Sequence, residues 1–286
     1  MSVQITTSFV NQFSSNVALL SQQRGSILRS AVSEESVTGE KAFFDQVGAS
    51  AAVKRTSRHG DTPLVETPHS RRQVTLDTYE WGDLIDDSDK VRMLIDPTST
   101  YAQAAASAIG RAMDDAIISA ATGTAYTGSS GATSTSLPAG QQIAAGSANL
   151  TIAKLIEAKK ILDLNSVDPS IARHIVVSPD QIESLLGTTQ VTSSDFNTVR
   201  ALTTGEVDTF MGFKFHVSNR LAKSSNDRTC FAWAESGIKL GVGKDTMARI
   251  DERADKSYAT QVYYCMSIGA TRMEEAKVLE VQCTES

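Results

Sequence analysis

Between Pro97 and Thr122 the chain carries its longest regular pattern. Tyr101, Ala104, Ala105, Ala108, Ile109, Ala112, Met113, Ala116, Ile117 and Ala120 recur at steps of three and four, while Gln103, Ser107, Arg111, Asp114 and Asp115 take the other side. That is the period of an amphipathic α-helix. Asp96 supplies an N-cap, Pro97 suits the first helical position, and Gly123 can end the helix in the left-handed conformation. About 26 residues at 1.5 Å each make a rod of roughly 39 Å. The small residues on its apolar face let a sheet approach closely. The helix reads as a structural spine, and the rest of the fold has to be arranged around it.

The last third of the chain shows a different pattern. A charged step, Arg249-Ile250-Asp251-Glu252-Arg253, precedes a long apolar run from Tyr258 to Ala270. This reads as a long strand pair or a strand crossing the molecule. Lys277 to Gln282 alternates Val278, Glu280 and Gln282 against Leu279, Val281 and Cys283, as a half-buried final strand does.

With 286 residues, one large or two intimately linked domains are expected. Hydrophobic residues at 41% and charged residues at 21% give a globular composition. The net charge of -6 argues against a dedicated DNA-binding domain, which would be basic. No run of about 18 apolar residues predicts a transmembrane helix, and no membrane partner is expected. Met1 to Ile5 lacks the basic and apolar regions of a signal peptide. Cys230, Cys265 and Cys283 are odd in number and far apart, so no disulfide framework is expected and the chain reads as cytosolic.

Ahead of the spine lie three contrasting stretches. In residues 1–50, Phe9, Phe13, Val17, Leu20, Ile27 and Leu28 recur at roughly helical spacing. This predicts an amphipathic helix that docks either on its own core or on a neighbouring copy. From Ala51 to Trp81 the cations Lys54, Arg55, Arg58, Arg71 and Arg72 face only Asp61 and Glu66, and Gly60-Asp61, Pro63 and Pro68 mark turns. Val, Thr, Tyr and Trp at strand-like spacing in Val53–His59 and Gln73–Trp81 predict a projecting hairpin with a basic tip. A solvated basic loop is the simpler alternative. Residues 83–96 are acidic, with Asp83, Asp86, Asp87, Asp89 and Asp96. They lack the glycine and glutamate of a calcium loop. They could meet the basic hairpin of another copy.

After the spine, residues 122–150 are rich in Gly, Ser, Thr and Ala and read as a connection outside the core. A helix from Thr151 to Leu164, a strand at Ile175–Val177, a helix from Pro179 to Leu186, a strand over Phe210–Val217 and one or two strands over Phe231–Val242 follow. This middle region reads as a compact α/β domain.

Tests for chemistry fail. Gly241-Val242-Gly243-Lys244-Asp245-Thr246 superficially matches a phosphate loop, but Ile238 stands where the first Gly belongs and Asp245 replaces the hydroxyl. A turn after a strand is the expectation there. His59, His69, His174 and His216 have no partners at zinc-motif spacing. The neighbouring carboxylates Asp114-Asp115 and Glu274-Glu275 read as solvated faces. No catalytic residue, cofactor or metal is predicted.

The order of these segments resembles the major capsid proteins of tailed bacteriophages, with the Hong Kong ninety-seven-type capsid fold. Three local stretches carry the resemblance: Gly205 with Phe210-Met211-Gly212-Phe213-Lys214-Phe215 and Ser218-Asn219; Phe231-Ala232-Trp233 through Leu240-Gly241-Val242-Gly243-Lys244-Asp245; and Ile250 to Lys256 followed by Gly269-Ala270 and Arg272. The resemblance implies an α+β fold with four parts. Residues 1–50 would be an N-terminal arm and 51–82 an extended E-loop lying over a neighbour. Residues 83–125 and 245–272 would form a peripheral domain, and 126–244 and 273–286 an axial domain. It also implies hexamers and pentamers in an icosahedral virion shell around double-stranded DNA, assembled in the host cytoplasm with a portal protein. The arm is short, so a separate scaffold protein is expected. The cross-linking chemistry of some members is not carried over, because Lys54 is the only lysine of the loop and no catalytic Glu can be assigned.

Inter-subunit contacts are expected from Lys54, Arg55, Arg58, Arg71 and Arg72 against Asp83, Asp86, Asp87 or Asp89, with Phe9 and Phe13 of the arm. Reversing Arg71 and Arg72 to Glu is expected to leave the monomer folded and block shell formation. Two alternatives stay open: a bacterial nanocompartment shell that packages a cargo enzyme, and a soluble α/β enzyme with a site around His174, His216 or Asp180.

Overall fold

The protein was analysed as a computed structural model that describes residues 22–86, 98–187 and 209–285. Among these residues the strands are, in chain order, β1 (Ser33–Ser36), β2 (Lys41–Val47), β3 (His69–Thr75), β4 (Asp77–Ile85), β5 (Ala125–Thr127), β6 (Thr133–Thr135) and β7 (Gln142–Ile143). They continue as β8 (Arg173–Val177), β9 (Thr209–Phe210), β10 (Phe213–Val217), β11 (Lys223–Ser224), β12 (Asp227–Ala234), β13 (Ile238–Arg253), β14 (Ala259–Arg272) and β15 (Val278–Thr284). The helices are α1 (Thr98–Thr122), α2 (Ile152–Leu164) and α3 (Pro179–Leu186). This is a mixed helix-and-sheet fold, as expected.

The spine is α1, and its partner is a sheet in the order β1-β13-β14-β4. The apolar run of the last third is therefore one arm of a strand pair. β13 and β14 pair antiparallel from Ile238↔Arg272 out to Arg253↔Ala259. Ala105, Ile109, Met113, Ile117 and Ala121, every fourth residue, form the buried stripe of α1. Most of this stripe shares one core with Tyr79, Trp81, Met266 and Ile268 of the sheet. Large apolar side chains buried this way each stabilise the fold by about 1.5–3 kcal/mol.

Two local expectations are corrected here. Gly123 ends α1 without positive φ; glycine is needed because a Cβ would strike the Ser119 carbonyl. Gly241–Thr246 is no turn. It runs inside β13, where the pairing slips between Val242, Lys244 and Met247.

Residues 22–31 dock on their own chain, which settles the question for that part of the arm; Phe9, Phe13, Val17 and Leu20 lie outside the described residues. The approach is close enough that a Cβ on Gly110 would collide with the Gly25 backbone, and Gly25 itself has φ +71°. Asp114, expected on a solvated face, is fully buried at this contact. Its carboxylate accepts from Gln23 Nε2 and Ser26 Oγ, each at 2.5 Å, and from the backbone N–H groups of Ile27 and Leu28 at 3.1 Å. The segment needs a carboxylate because its turn leaves these amides without a helix or strand partner. Leu28 and Ala31 enter the core, and Trp233 Nε1 donates to the Ala31 carbonyl at 2.9 Å.

The second sheet has the order β7-β15-β12-β8-β10-β9, with β11 beside β12. β8 is buried along its whole length and β12 over its last five residues. The expected strand Phe210–Val217 is a hairpin instead. Phe210 pairs with Phe213 across Met211 and Gly212, both with positive φ, as a two-residue hairpin turn requires. Residues 122–150 also contradict expectation, because Leu137, Ile143 and Leu150 are core residues. Lys154 of α2 draws that stretch in. Its ammonium donates to the carbonyls of Ala145, Ala148 and Gln282, each at 2.8 Å, which uses all three of its donors. The chain end is held by Glu285, whose carboxylate takes bonds from Arg228 and Lys223. The Arg228 guanidinium, ahead of the neighbouring donors, keeps that carboxyl well below the usual carboxylate range.

Glycine at position 110 gives a sign test of the docked segment. In an ordinary exposed helix Gly→Ala stabilises by about 1 kcal/mol. Gly110→Ala is expected to destabilise by about 1–3 kcal/mol through overpacking, read as a lower urea midpoint. A raised midpoint would show that the contact is slack.

Candidate assembly surfaces

β2 and β3 form an antiparallel hairpin from Lys41↔Thr75 to Val47↔His69, joined along β3 to β5 and β6. The sequence placed its strands at Val53–His59 and Gln73–Trp81. The structure has no strand at Val53–His59, and the return run divides between β3 and β4 at Leu76. The hairpin stops where Gly48 N–H donates to the Pro68 carbonyl at 2.8 Å. Every residue from 47 to 70 is exposed, Leu64 to 98%. Such a loop places no side chain in the core of its own chain.

The five candidate cations split into two groups. Lys54, Arg55 and Arg58 stand on the exposed loop and make no ion pair with a described residue; Arg55 only donates to the nearby Ser57 carbonyl. Arg71 and Arg72 belong to β3, at the root. Arg71 pairs with Asp45 across the hairpin at 3.0 Å and lies over the Phe43 ring. Arg72 turns inward and is only 7% exposed. Its Nε donates to the Met273 carbonyl at 2.8 Å and its Nη2 to Glu275 at 2.5–2.6 Å. Pairing Arg72 with a neighbour is thus corrected: alternation along β3 puts its side chain on the buried face. Reversing Arg71 and Arg72 together would set a carboxylate against Glu275 in a buried site, and would test folding rather than assembly. Of the acidic candidates, Asp83 lies exposed on β4 and Asp86 just beyond it. Asp87 and Asp89, like Phe9 and Phe13, lie outside the described residues.

Glu275 also approaches Arg272, at 3.7 Å. Arg272 is fully buried and caps the spine, with Nη1 donating to the carbonyls of Ala121 and Gly123 and Nη2 to Thr135. The last turn of a helix carries unpaired carbonyls and a partial negative charge, so a guanidinium is the matching cap. Burial pulls the Arg272 pKa down, partly opposed by Glu275. One carboxylate thus ties the hairpin root to the end of α1. Glu274 is the solvated partner of the doublet, paired with Lys277.

The sites tested for chemistry have structural uses. Asp245 pairs with Arg29, which also grips Glu34, pinning the N-terminal segment to the irregular part of β13. His174 Nδ1 and His216 Nε2 are 3.0 Å apart, and both rings stack on Trp233. Cys230, Cys265 and Cys283 are buried free thiols. Among the described residues no group of His, Cys, Asp or Glu is arranged to hold a metal ion, and no helix is long and apolar enough to cross a membrane.

A phage capsid protein family model matches residues 5–285, nearly the whole chain. The chain belongs to the phage capsid protein family. Solved structures with the same fold include the capsid of cyanophage P-SCSP1u, at TM-score 0.77 and 19% identity over 99% of this chain and 95% of that one. The capsid of Ralstonia phage GP4 matches at TM-score 0.75 and 11% identity, covering 98% and 96%. The acid-stable capsid of Helicobacter pylori bacteriophage KHP30 matches at 0.72 and 8%, covering 99% and 98%. No curated protein matches the sequence significantly. The fold is thus the Hong Kong ninety-seven-type fold, and the chain is a phage capsid protein. Its place is the virion shell, and its partner there is further copies of itself. Nothing in these matches favours a cargo compartment or a soluble enzyme.

Two measurements probe the root and the core of this capsid protein. Glu275→Gln leaves two buried guanidinium groups without their carboxylate and is expected to cost about 3–5 kcal/mol in urea unfolding; a loss under about 1 kcal/mol, the scale of a surface pair, would show the network to be dispensable. His174 is the second probe. Burial, then His216 and Lys214, hold its pKa down at about 4, whereas the unfolded value is about 6.5. Between these values the unfolded chain binds a proton that the folded chain refuses, so stability is lost as pH falls through that window. His174→Phe keeps the stack on Trp233 and is expected to lose less stability than the parent between pH 7 and pH 4.5. Equal losses would refute that assignment.

Proposed function

We propose that this capsid protein assembles through hexamers and pentamers into an icosahedral head around double-stranded DNA. A separate scaffold protein, a portal protein and the host cytoplasm complete the assembly setting. In this reading residues 1–50 act as the arm. Residues 51–82 act as the E-loop. Residues 83–125 with 245–272 act as the peripheral part, and 126–244 with 273–286 as the axial part.

The observation that carries the reading is the loop from 47 to 70, wholly exposed yet mounted on a root locked by Arg72 and Glu275. A monomer gains nothing from holding such a loop out. An assembly does, because obligate interfaces run to about 2,000 Å² and more. Lys54, Arg55 and Arg58 would meet the acidic stretch of a neighbour at Asp83 and Asp86, with Asp87, Asp89, Phe9 and Phe13 contributing further contacts. Each exposed pair is worth about 0–1 kcal/mol, and repetition around a shell multiplies the effect. The acidic balance of the chain suits a lining that must release DNA, since phosphate contacts would retain it.

The chain expressed alone or with a scaffold is expected to give shells, tubes or capsomers in negative-stain electron microscopy and sedimentation. A discrete monomer under both conditions would overturn the reading. The double variant Arg55→Glu, Arg58→Glu is expected to keep the parent's melting temperature, because both residues are exposed, and to lose shells. Intact shells from that variant would remove these arginines from the interface.

A further inference from the structure

The small sheet ends in a strand with an open edge. β2 is first in the order β2-β3-β5-β6 and pairs only with β3. Its two ends fix the direction of its free amides. Leu76 N–H donates to the Glu40 carbonyl at 2.9 Å, and Gly48 N–H donates to the Pro68 carbonyl at 2.8 Å. Both couples continue the register that runs from Lys41↔Thr75 to Val47↔His69. Bonded pairs in an antiparallel ladder fall on every second residue. Ala42, Phe44 and Gln46 therefore bond to β3, while the N–H and C=O groups of Lys41, Phe43, Asp45 and Val47 point out along the open edge. No backbone hydrogen bond among the described residues takes these groups up. The same four side chains are exposed, Phe43 to 38% and Val47 to 65%. Neither a proline nor a bulge blunts the edge.

We propose that β2 pairs with β2 of a second copy, antiparallel and across a two-fold axis, so that two four-stranded sheets join into one. This rests on the self-assembly proposed above and specifies one contact within it. The strand is complementary to itself when Phe43 faces Phe43, because Lys41 then stands opposite Asp45 on either side of the axis. In that register outward amides meet outward amides, which gives about six backbone bonds. An aromatic pair flanked by opposite charges is a favourable cross-strand set. Neighbouring registers with the same amide phase lose it. Centring on Phe44 sets Lys41 against Val47 and Phe43 against Asp45, and centring on Asp45 sets that carboxylate against its own copy. The charges are available for the contact. Lys41 makes no ion pair with a described residue, and Asp45 gives Arg71 only Oδ1. Other open edges suit β2 less well. β6 and β1 are three and four residues long, and β4 carries Asp77, Glu80 and Asp83 with no cation to meet Asp45. Backbone bonds supply the affinity and the charges set the register. A contact of this kind uses the same surface on both copies and closes on itself.

Mixing two variants tests the two-fold pairing. Lys41→Glu and Asp45→Lys each set like charges opposite one another across the axis, whereas a pair made of one copy of each variant has both attractions again. Under the conditions in which the parent assembles, each variant alone is expected to keep the parent's melting temperature, since both positions are exposed, and to lose closed shells. An equimolar mixture is expected to recover them. A second test leaves the charges in place. Facing residues of a bonded pair have Cα atoms about 5.5 Å apart, within reach of a disulfide. Phe43→Cys in assembled particles is expected to give covalent dimers with oxidised glutathione, which leaves as two reduced molecules; the chain's own cysteines are buried. Val47→Cys lies about 27 Å from its own copy in this register, at 3.4 Å per residue, and is expected to give none. Shells from either charge variant alone, or a mixture that stays unassembled, overturn the β2 pairing and leave the capsid reading standing. Particles of Phe43→Cys without covalent dimers, or dimers through Val47→Cys, overturn it as well. Absence of shells from the parent chain, with and without scaffold, removes the reading beneath it.

Discussion

A single buried guanidinium, that of Arg272, sets the relation between the parts of this molecule. It sits at the end of the longest apolar strand, where a cation has no solvent. It is held there by the carbonyls at the end of α1, to which it donates. Glu275, three residues on, balances the charge and reaches Arg72 on β3. The helix end, the long sheet and the hairpin root are thereby fixed by one charged group and its carboxylate. Desolvated charges are costly to leave unpaired, so the three parts hold together or loosen together.

The other end of the spine contact follows the same logic with the sign reversed. Asp114 is the buried charge there, and the partners are amides of residues 27 and 28 with the side chains of Gln23 and Ser26. Gly110 and Gly25 let the backbones come close enough for that carboxylate to reach. Trp233 then joins this segment to the second sheet through the Ala31 carbonyl. Polar groups buried at three seams specify how the apolar layers stack.

With its interior closed in this way, the chain keeps its unused bonding capacity on the outside. The loop from 47 to 70 has exposed apolar groups and cations, and β4 has an acidic row along an open edge. A protein that worked alone would blunt such an edge and shorten such a loop. A shell protein needs both, because its stability as an assembly comes from surfaces that the monomer leaves bare.

Much of the architecture was legible in the residues. The four-residue repeat of α1 and the strand pattern of β15 are local properties, governed by side-chain period and backbone chemistry. The family pattern supplied the fold class. What local chemistry could not decide was which polar residues face inward. Arg72 and Arg71 are neighbours in sequence, yet one is buried against Glu275 and the other lies on the surface. Asp114 and Asp115 divide likewise, with Asp115 paired to exposed Arg220. The strand expected at Val53–His59 did not form, because a strand needs a partner and the folded chain offers that stretch none. Periodicity is written in neighbouring residues. Charge burial and open edges depend on groups brought together from 50 to 200 residues apart, and only the tertiary structure assembles those.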